Sequence, residues 1–142
     1  MSEEKKVMAY RIALEQFWKG VDAVSESIAT IENRYDECLF NARILNYEKK
    51  IERPIAEFTI TEEDLKKDMQ QLFEYLHIEF RWTIRKNLFY FPQTIADDLW
   101  NYRTAMMHAA TDLEGPKKQE ANIIFNSLQG KINYFLESTD CS

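Results

Sequence analysis

The chain has 142 residues, of which 45% are hydrophobic and 30% are charged, and its net charge is −6. This composition is typical of a globular protein, so we expect a single domain across residues 1–142 and no extended disorder. The acidic balance argues against nucleic acids and anionic membranes as partners, because binding to either depends on a basic surface.

The sequence also predicts where the protein works. No apolar run of about 18 residues is present, so we expect no membrane span. Residues 2–6 are polar or charged and lead into an amphipathic pattern, unlike a secretory signal peptide. Two cysteines, Cys38 and Cys141, are too few for a disulfide framework. We therefore predict a cytoplasmic location.

The most extended pattern in the chain predicts a first helix from about Glu4 to Glu52. Apolar or amphipathic residues recur there at alternating spacings of three and four, and we call this stripe the seam: Val7, Tyr10, Leu14, Phe17, Val21, Val24, Ile28, Ile31, Tyr35, Cys38, Ala42 and Leu45. Such spacing over about six heptads is typical of a helix paired with another helix in a coiled coil. Gly20 lies beside the seam, where it either permits close approach of a neighbour or only softens the helix.

Small or polar residues flank the seam as far as Ile31, which favours close pairing with one partner helix. We therefore predict a homodimer through the first helix, or a complex with another protein. The centre of this interface is expected at Val21, Val24, Ile28 and Ile31.

Three shorter amphipathic helices follow Pro54, which ends the first helix. The second has a good N-cap in Thr61 with three acids behind it, and Pro92 suits the first turn of the third. We expect these helices to run from Thr61 to Leu88, from Pro92 to Gly115 and from Lys117 to Glu137. A second apolar stripe on the second helix predicts that this helix is covered on more than one side; its members are Tyr75, Ile78, Trp82 and Phe89.

These elements predict an all-α fold, an elongated antiparallel bundle of about four helices built on one very long N-terminal helix. Two arrangements remain open. In the first, the second and third helices form a hairpin at Pro92, and the last three helices cluster on the C-terminal half of the first. In the second, those two helices run end to end along the whole first helix.

A short basic and aromatic stretch is the most suggestive functional feature. Arg81 and Arg85 share one helix face, and Trp82 and Phe89 form a stripe seven residues apart. Interleaved arginines and aromatic rings can bind a nucleic-acid strand, another anionic ligand or an acidic partner. The same residues could instead be structural, with the rings buried and the arginines paired with nearby acids.

The sequence contains no motif for catalysis, for a cofactor or for a metal ion. Glu74 and His77 match half of a di-iron motif, and the second copy that such a site requires is missing. We therefore predict a non-enzymatic protein–protein interaction or oligomerisation module. The alternative is a ligand-binding or sensor bundle with an internal cavity lined by Trp82, Trp100, Met106, Met107 and His108.

Overall fold

The computed structural model describes residues 2–55 and 60–140, and within these ranges it contains four helices and no strand. α1 spans Glu3–Ile51, α3 spans Gln93–Thr111 and α4 spans Lys117–Asp140. α2 is a continuous rod with three parts: an α-helix at Glu62–Glu74, a π-helix at Tyr75–Phe80 and an α-helix at Arg81–Asn87. A 3₁₀ turn at Leu88–Tyr90 leads from α2 into α3. The predicted all-α bundle on a very long first helix is confirmed.

Local signals set the ends of the two longest helical rods. Ser2 caps α1 by accepting a hydrogen bond from the backbone amide of Lys5, and Glu52 ends it in the left-handed conformation. Thr61 and Asp64 form a capping box at the start of α2, in which each side chain accepts a hydrogen bond from the other residue's amide. The N-cap predicted at Thr61 is therefore confirmed.

The chain adopts the hairpin arrangement. At one end of α2, Lys49 forms an ion pair with Glu62, and at the other end the Phe91 ring lies against Gly20. α3 then runs back along α2, since Arg103 donates hydrogen bonds to backbone carbonyls of the π-helix. α4 returns antiparallel to α3 and α1, from Lys118 beside Glu32 to Phe135 against Phe17, whose ring centroids are 4.3 Å apart.

The core lies between the seam of α1 and one face of each shorter helix. Its largest fully buried side chains come from all four helices: Phe17, Ile31, Leu72, Leu76, Phe80, Ile84, Ile95, Leu99, Tyr102, Met106 and Leu128. This arrangement corrects the predicted association interface. Val21, Val24, Ile28 and Ile31 are between 0% and 9% exposed, so the chain's own helices occupy the surface that a second copy would need.

The bundle also reaches further along α1 than expected. Its shorter helices cover α1 from Phe17 to Leu45, not only the C-terminal half. The expectation that the second stripe is covered in the later half of α2 is wrong, because Ile78 and Trp82 are each 63% exposed and Phe89 is 95% exposed. Tyr75, the first member of this stripe, is half-buried beside Arg34. In a four-helix bundle each helix turns only one face to the core, so a second apolar stripe stays outside.

Glu32 joins three helices through its carboxylate. Tyr102 of α3 donates a hydrogen bond of 2.5 Å to Oε1, and Lys118 at the start of α4 donates one of 2.7 Å to Oε2. Tyr102 is fully buried, and its burial and the nearby charge of Glu32 raise the pKa of its hydroxyl above the usual value. The hydroxyl therefore stays protonated and serves as a permanent donor to the carboxylate.

Replacing Glu32→Ala should lower the free energy of unfolding by about 1–3 kcal/mol, because the buried Tyr102 hydroxyl loses its acceptor. Glu114→Ala is the matched control, since it removes the exposed ion pair with Arg43 and should cost less than about 1 kcal/mol. Denaturant unfolding of both variants makes the comparison. Equal losses would show that Glu32 behaves as an ordinary surface charge.

Gly20 permits the close approach of the turn between α2 and α3. A Cβ atom added at Gly20 would lie 2.9 Å from Cζ of Phe91, which is itself only 9% exposed. At Gly130 in α4, an added Cβ meets no atom within 4 Å. The two glycines therefore differ in packing while both lie inside helices.

We expect Gly20→Ala to destabilise the protein by about 1 kcal/mol, because displacing the Phe91 ring outweighs the better helix propensity of alanine. Gly130→Ala should stabilise it by about 0.5–1 kcal/mol through helix propensity alone. Thermal unfolding of the two variants measures both effects. A stabilising Gly20→Ala would mean that this glycine only softens α1.

Candidate interaction surfaces

The first surface is the part of α1 that extends past the bundle. Every described side chain from residue 2 to residue 13 is exposed, Leu14 is half-buried, and Phe17 is the first residue of α1 to enter the core. We call residues 3–14 the N-terminal section. The section is helical throughout, so its side chains keep the periodicity of the buried part.

The seam continues through the N-terminal section, where its side chains are more exposed than in the bundle. Val7 is 50% exposed and Tyr10 is 42% exposed, although both lie on the same helix face as the buried Phe17 and Val21. Met8 and Ile12 are also exposed, on the opposite side of the helix. The N-terminal section therefore carries partly exposed apolar side chains on the face that continues the seam.

A recess marks the place where this section leaves the bundle. Its walls come from α1, from the turn after α2 and from the end of α4, and they enclose about 160 Å³: Tyr10, Ala13, Leu14, Gln16, Phe17, Phe89, Tyr90 and Phe135. Phe89, Tyr90 and Phe135 therefore form an apolar shelf beside Tyr10 and Leu14 of the seam.

Three charged side chains flank the seam in the N-terminal section. In the heptad numbering that places Val7 at position a, Glu4 and Arg11 occupy position e, and Lys6 occupies position g. Among the described residues, none of these three side chains forms an ion pair. They remain available to a helix that lies along the seam.

The second surface is a shallow groove on the outer face of α2, with a volume of about 290 Å³. We call it the basic groove, and its five lining residues are His77, Ile78, Arg81, Trp82 and Arg85. Three of the residues predicted from the sequence thus lie together, and all three are exposed. Phe89, the fourth, lies in the 3₁₀ turn and faces the first surface instead.

The π-helix gives the basic groove a feature that the sequence did not predict. Arg103 of α3 donates hydrogen bonds to the carbonyls of Leu76 at 2.8 Å and of His77 at 3.2 Å, and to Nδ1 of His77 at 3.2 Å. Its guanidinium also lies over the Trp100 ring, 5.8 Å from the centroid. Single π-helical turns commonly occur at functional sites, and here the turn fixes a third arginine beside the basic groove.

Arg103 carries no counter-charge among the described residues. Partial burial and the neighbouring charge of Arg81 both lower its pKa from the usual arginine value. A nearby anion would be favoured at this place, because it would offset the repulsion between the two guanidinium groups.

The five residues proposed to line an internal cavity do not lie around one cavity. Trp82 and His108 are exposed, Trp100 and Met107 are half-buried, and Met106 is fully buried in the core. Within residues 2–55 and 60–140, no group of three or more His, Cys, Asp and Glu side chains could hold a metal ion.

Cys38 is a buried thiol in the core, only 2% exposed. Burial raises the pKa of this thiol to about 11, and the charges of Asp68 and Glu37 act in the same direction. The thiol is therefore protonated near neutral pH and has little nucleophilic character.

No known protein family matches the chain, and comparisons with curated proteins and with solved structures find no match either. In the described part of the chain, no helix combines the length and the apolar character needed to cross a bilayer.

Cys38 should make the folded state sensitive to alkaline pH. The unfolded thiol ionises near its ordinary pKa of 9.0, whereas the folded one holds its proton until about pH 11. The stabilising effect is therefore complete below pH 9 and is lost between these two values. The measurement compares the unfolding free energies of the Cys141→Ser and Cys38→Ala/Cys141→Ser proteins. Their difference should be constant below pH 9, and between pH 9 and about pH 11 the protein that keeps Cys38 should become less stable relative to the other. A difference that stays constant throughout would contradict this.

Proposed function

We propose that this protein is a non-enzymatic helical interaction module that self-associates through the N-terminal section of α1. The observation that carries the proposal is the uninterrupted seam, whose residues Val7, Tyr10 and Leu14 continue the buried stripe before Phe17 and remain exposed or half-buried. A partner helix on this face would bury side chains that are now exposed, which is the main driving force for helix pairing in water.

The charges beside the seam favour a second copy of the chain in antiparallel orientation. In antiparallel pairs, residues at position e face position e of the other helix. When Val7 lies opposite Tyr10 of the second copy, Glu4 lies opposite Arg11 of that copy. Two-fold symmetry then repeats the same ion pair, so the surface is self-complementary.

The other simple arrangements bring like charges together. Shifting the antiparallel register by one heptad places either Glu4 against Glu4 or Arg11 against Arg11. A parallel pair places Lys6 at position g beside Arg11 at position e of the other helix. Each alternative is disfavoured by repulsion, and the register centred between Val7 and Tyr10 is the one supported by the sequence of the section.

The length of the section supports a weak, reversible association. Residues 3–14 span about 18 Å of helix, which gives a smaller interface than the roughly 800 Å² per partner of stable complexes. The first turn of each copy would end against the shelf formed by Phe89, Tyr90 and Phe135 of the other, which adds apolar contact. We expect a dimer that dissociates on dilution, and the cysteine usage of the sequence supports a cytoplasmic setting.

Charge reversal tests this pairing. Glu4→Arg or Arg11→Glu alone turns both symmetric ion pairs into repulsions and should weaken self-association about tenfold, measured by sedimentation velocity over a range of concentrations. An equimolar mixture of the two variants should associate again, because every Arg then faces a Glu. Parallel pairing predicts the opposite result for Arg11→Glu, because the new glutamate would form an ion pair with Lys6 of the other copy and strengthen the dimer.

Two further variants serve as controls for net charge. Glu15→Arg and Lys19→Glu make the same changes in charge on the same helix but lie away from the seam, so the dimer should be unaffected. A wild-type protein that stays monomeric at all concentrations, or a mixture of variants that fails to associate, would refute the proposal.

A further inference from the structure

Three arginines lie close together at the basic groove, where Arg81 and Arg85 share one face of α2 and Arg103 of α3 lies beside them. Five ion pairs use cations in other places: Arg43 with Glu114, Lys49 with Glu62, Lys117 with Glu120, Lys118 with Glu32, and Lys131 with Asp98. In the described part of the chain, no ion pair involves Arg81, Arg85 or Arg103. Because the charge of Arg81 already acts on Arg103, an anion bound between these side chains would reduce their mutual repulsion.

The geometry of the basic groove suits carboxylates. Arg81 and Arg85 are one helical turn apart, so their side chains start about 6 Å from each other on the same face. Arg103 is held in place by the carbonyls of the π-helix and cannot move away from Arg81 without losing these hydrogen bonds. Planar guanidinium groups bind carboxylates through paired hydrogen bonds, so two acids one helical turn apart would match this row.

An apolar row lies beside the basic row. Ile78 and Trp82 are also one turn apart, and each is 63% exposed. Exposed tryptophans next to arginines are typical of the residues that dominate binding energy at protein interfaces. A ligand for the basic groove should therefore carry an apolar side chain next to its acids, which is the pattern of an amphipathic acidic helix.

The surroundings favour a short acidic segment over a nucleic acid strand. Glu74 and Glu79 line the neighbouring depression on the other side of Ile78. A long chain of phosphates that crossed the basic groove would meet these carboxylates, whereas a segment with two acids would not. The basic surface is also confined to a few residues, while nucleic acid binding depends on many phosphate contacts.

We propose that the basic groove binds an acidic amphipathic helix of a partner protein, with carboxylates on Arg81 and Arg85 and an apolar side chain on Trp82. The basic groove lies on α2, beside the part of α1 that is already covered by the bundle. This interaction is therefore separate from the pairing of N-terminal sections and does not depend on it.

A set of fluorescein-labelled helical peptides tests this interaction by fluorescence anisotropy with the full chain. Each peptide carries two glutamates four residues apart beside a leucine, and a matched set carries glutamines instead. The acidic peptides should bind, and the glutamine peptides should bind at least about tenfold more weakly. Arg81→Gln/Arg85→Gln and Trp82→Ala should each reduce the affinity for acidic peptides by a similar factor.

The control variant is Lys66→Gln/Lys67→Gln, which removes the same charge from exposed positions on α2 and should bind like the wild type. All substituted side chains are exposed, so circular dichroism should show unchanged folding. Absence of binding by every acidic peptide, or equal binding by the Arg81→Gln/Arg85→Gln variant, would overturn the proposal. Tighter binding of a labelled oligothymidine would overturn it too, because it would identify a phosphate site.

Discussion

The fold depends on the difference in length between α1 and the three shorter helices. α1 has 49 residues and is about 74 Å long, whereas α2, α3 and α4 measure about 39, 28 and 36 Å. Because α3 folds back along α2 at Pro92, the three shorter helices cover only one stretch of the seam. The buried stretch begins at Phe17, and the residues before it keep an apolar stripe that the bundle covers only in part, at the recess beside Tyr10 and Leu14. Exposure of this stripe is thus a consequence of topology and not of a change in sequence pattern.

This difference in length also explains how far the sequence predicts the structure. Helix periodicity and Pro54 predicted α1 to within a residue at each end, and the capping residue Thr61 marked the start of α2. Periodicity could not show which part of the seam is buried, because Val7 and Val21 occupy equivalent heptad positions. That distinction depends on the hairpin at Pro92, and an end-to-end arrangement would use the same residues. The choice between the two therefore required the three-dimensional contacts.

The basic groove was predictable only in part. Arg81, Trp82 and Arg85 are close in sequence, and their exposed helix face follows from their spacing once the core face of α2 is known. His77 precedes Arg81 by one turn, so the same spacing rule could have found it. Arg103 comes from a different helix, and nothing in the sequence places it against the carbonyls of residues 76 and 77. Local spacing thus predicts one wall of a surface, while tertiary packing supplies the rest.

The pairing of N-terminal sections can be examined most directly by hydrogen–deuterium exchange of the full chain at low and high protein concentration. The helix of residues 3–14 lacks tertiary contacts over most of its length, so its amides should exchange quickly in dilute solution. Antiparallel pairing predicts that amides of residues 7–14 become slower at high concentration, while those of residues 20–45 stay unchanged. Identical exchange in the N-terminal section at both concentrations would contradict self-association through this surface.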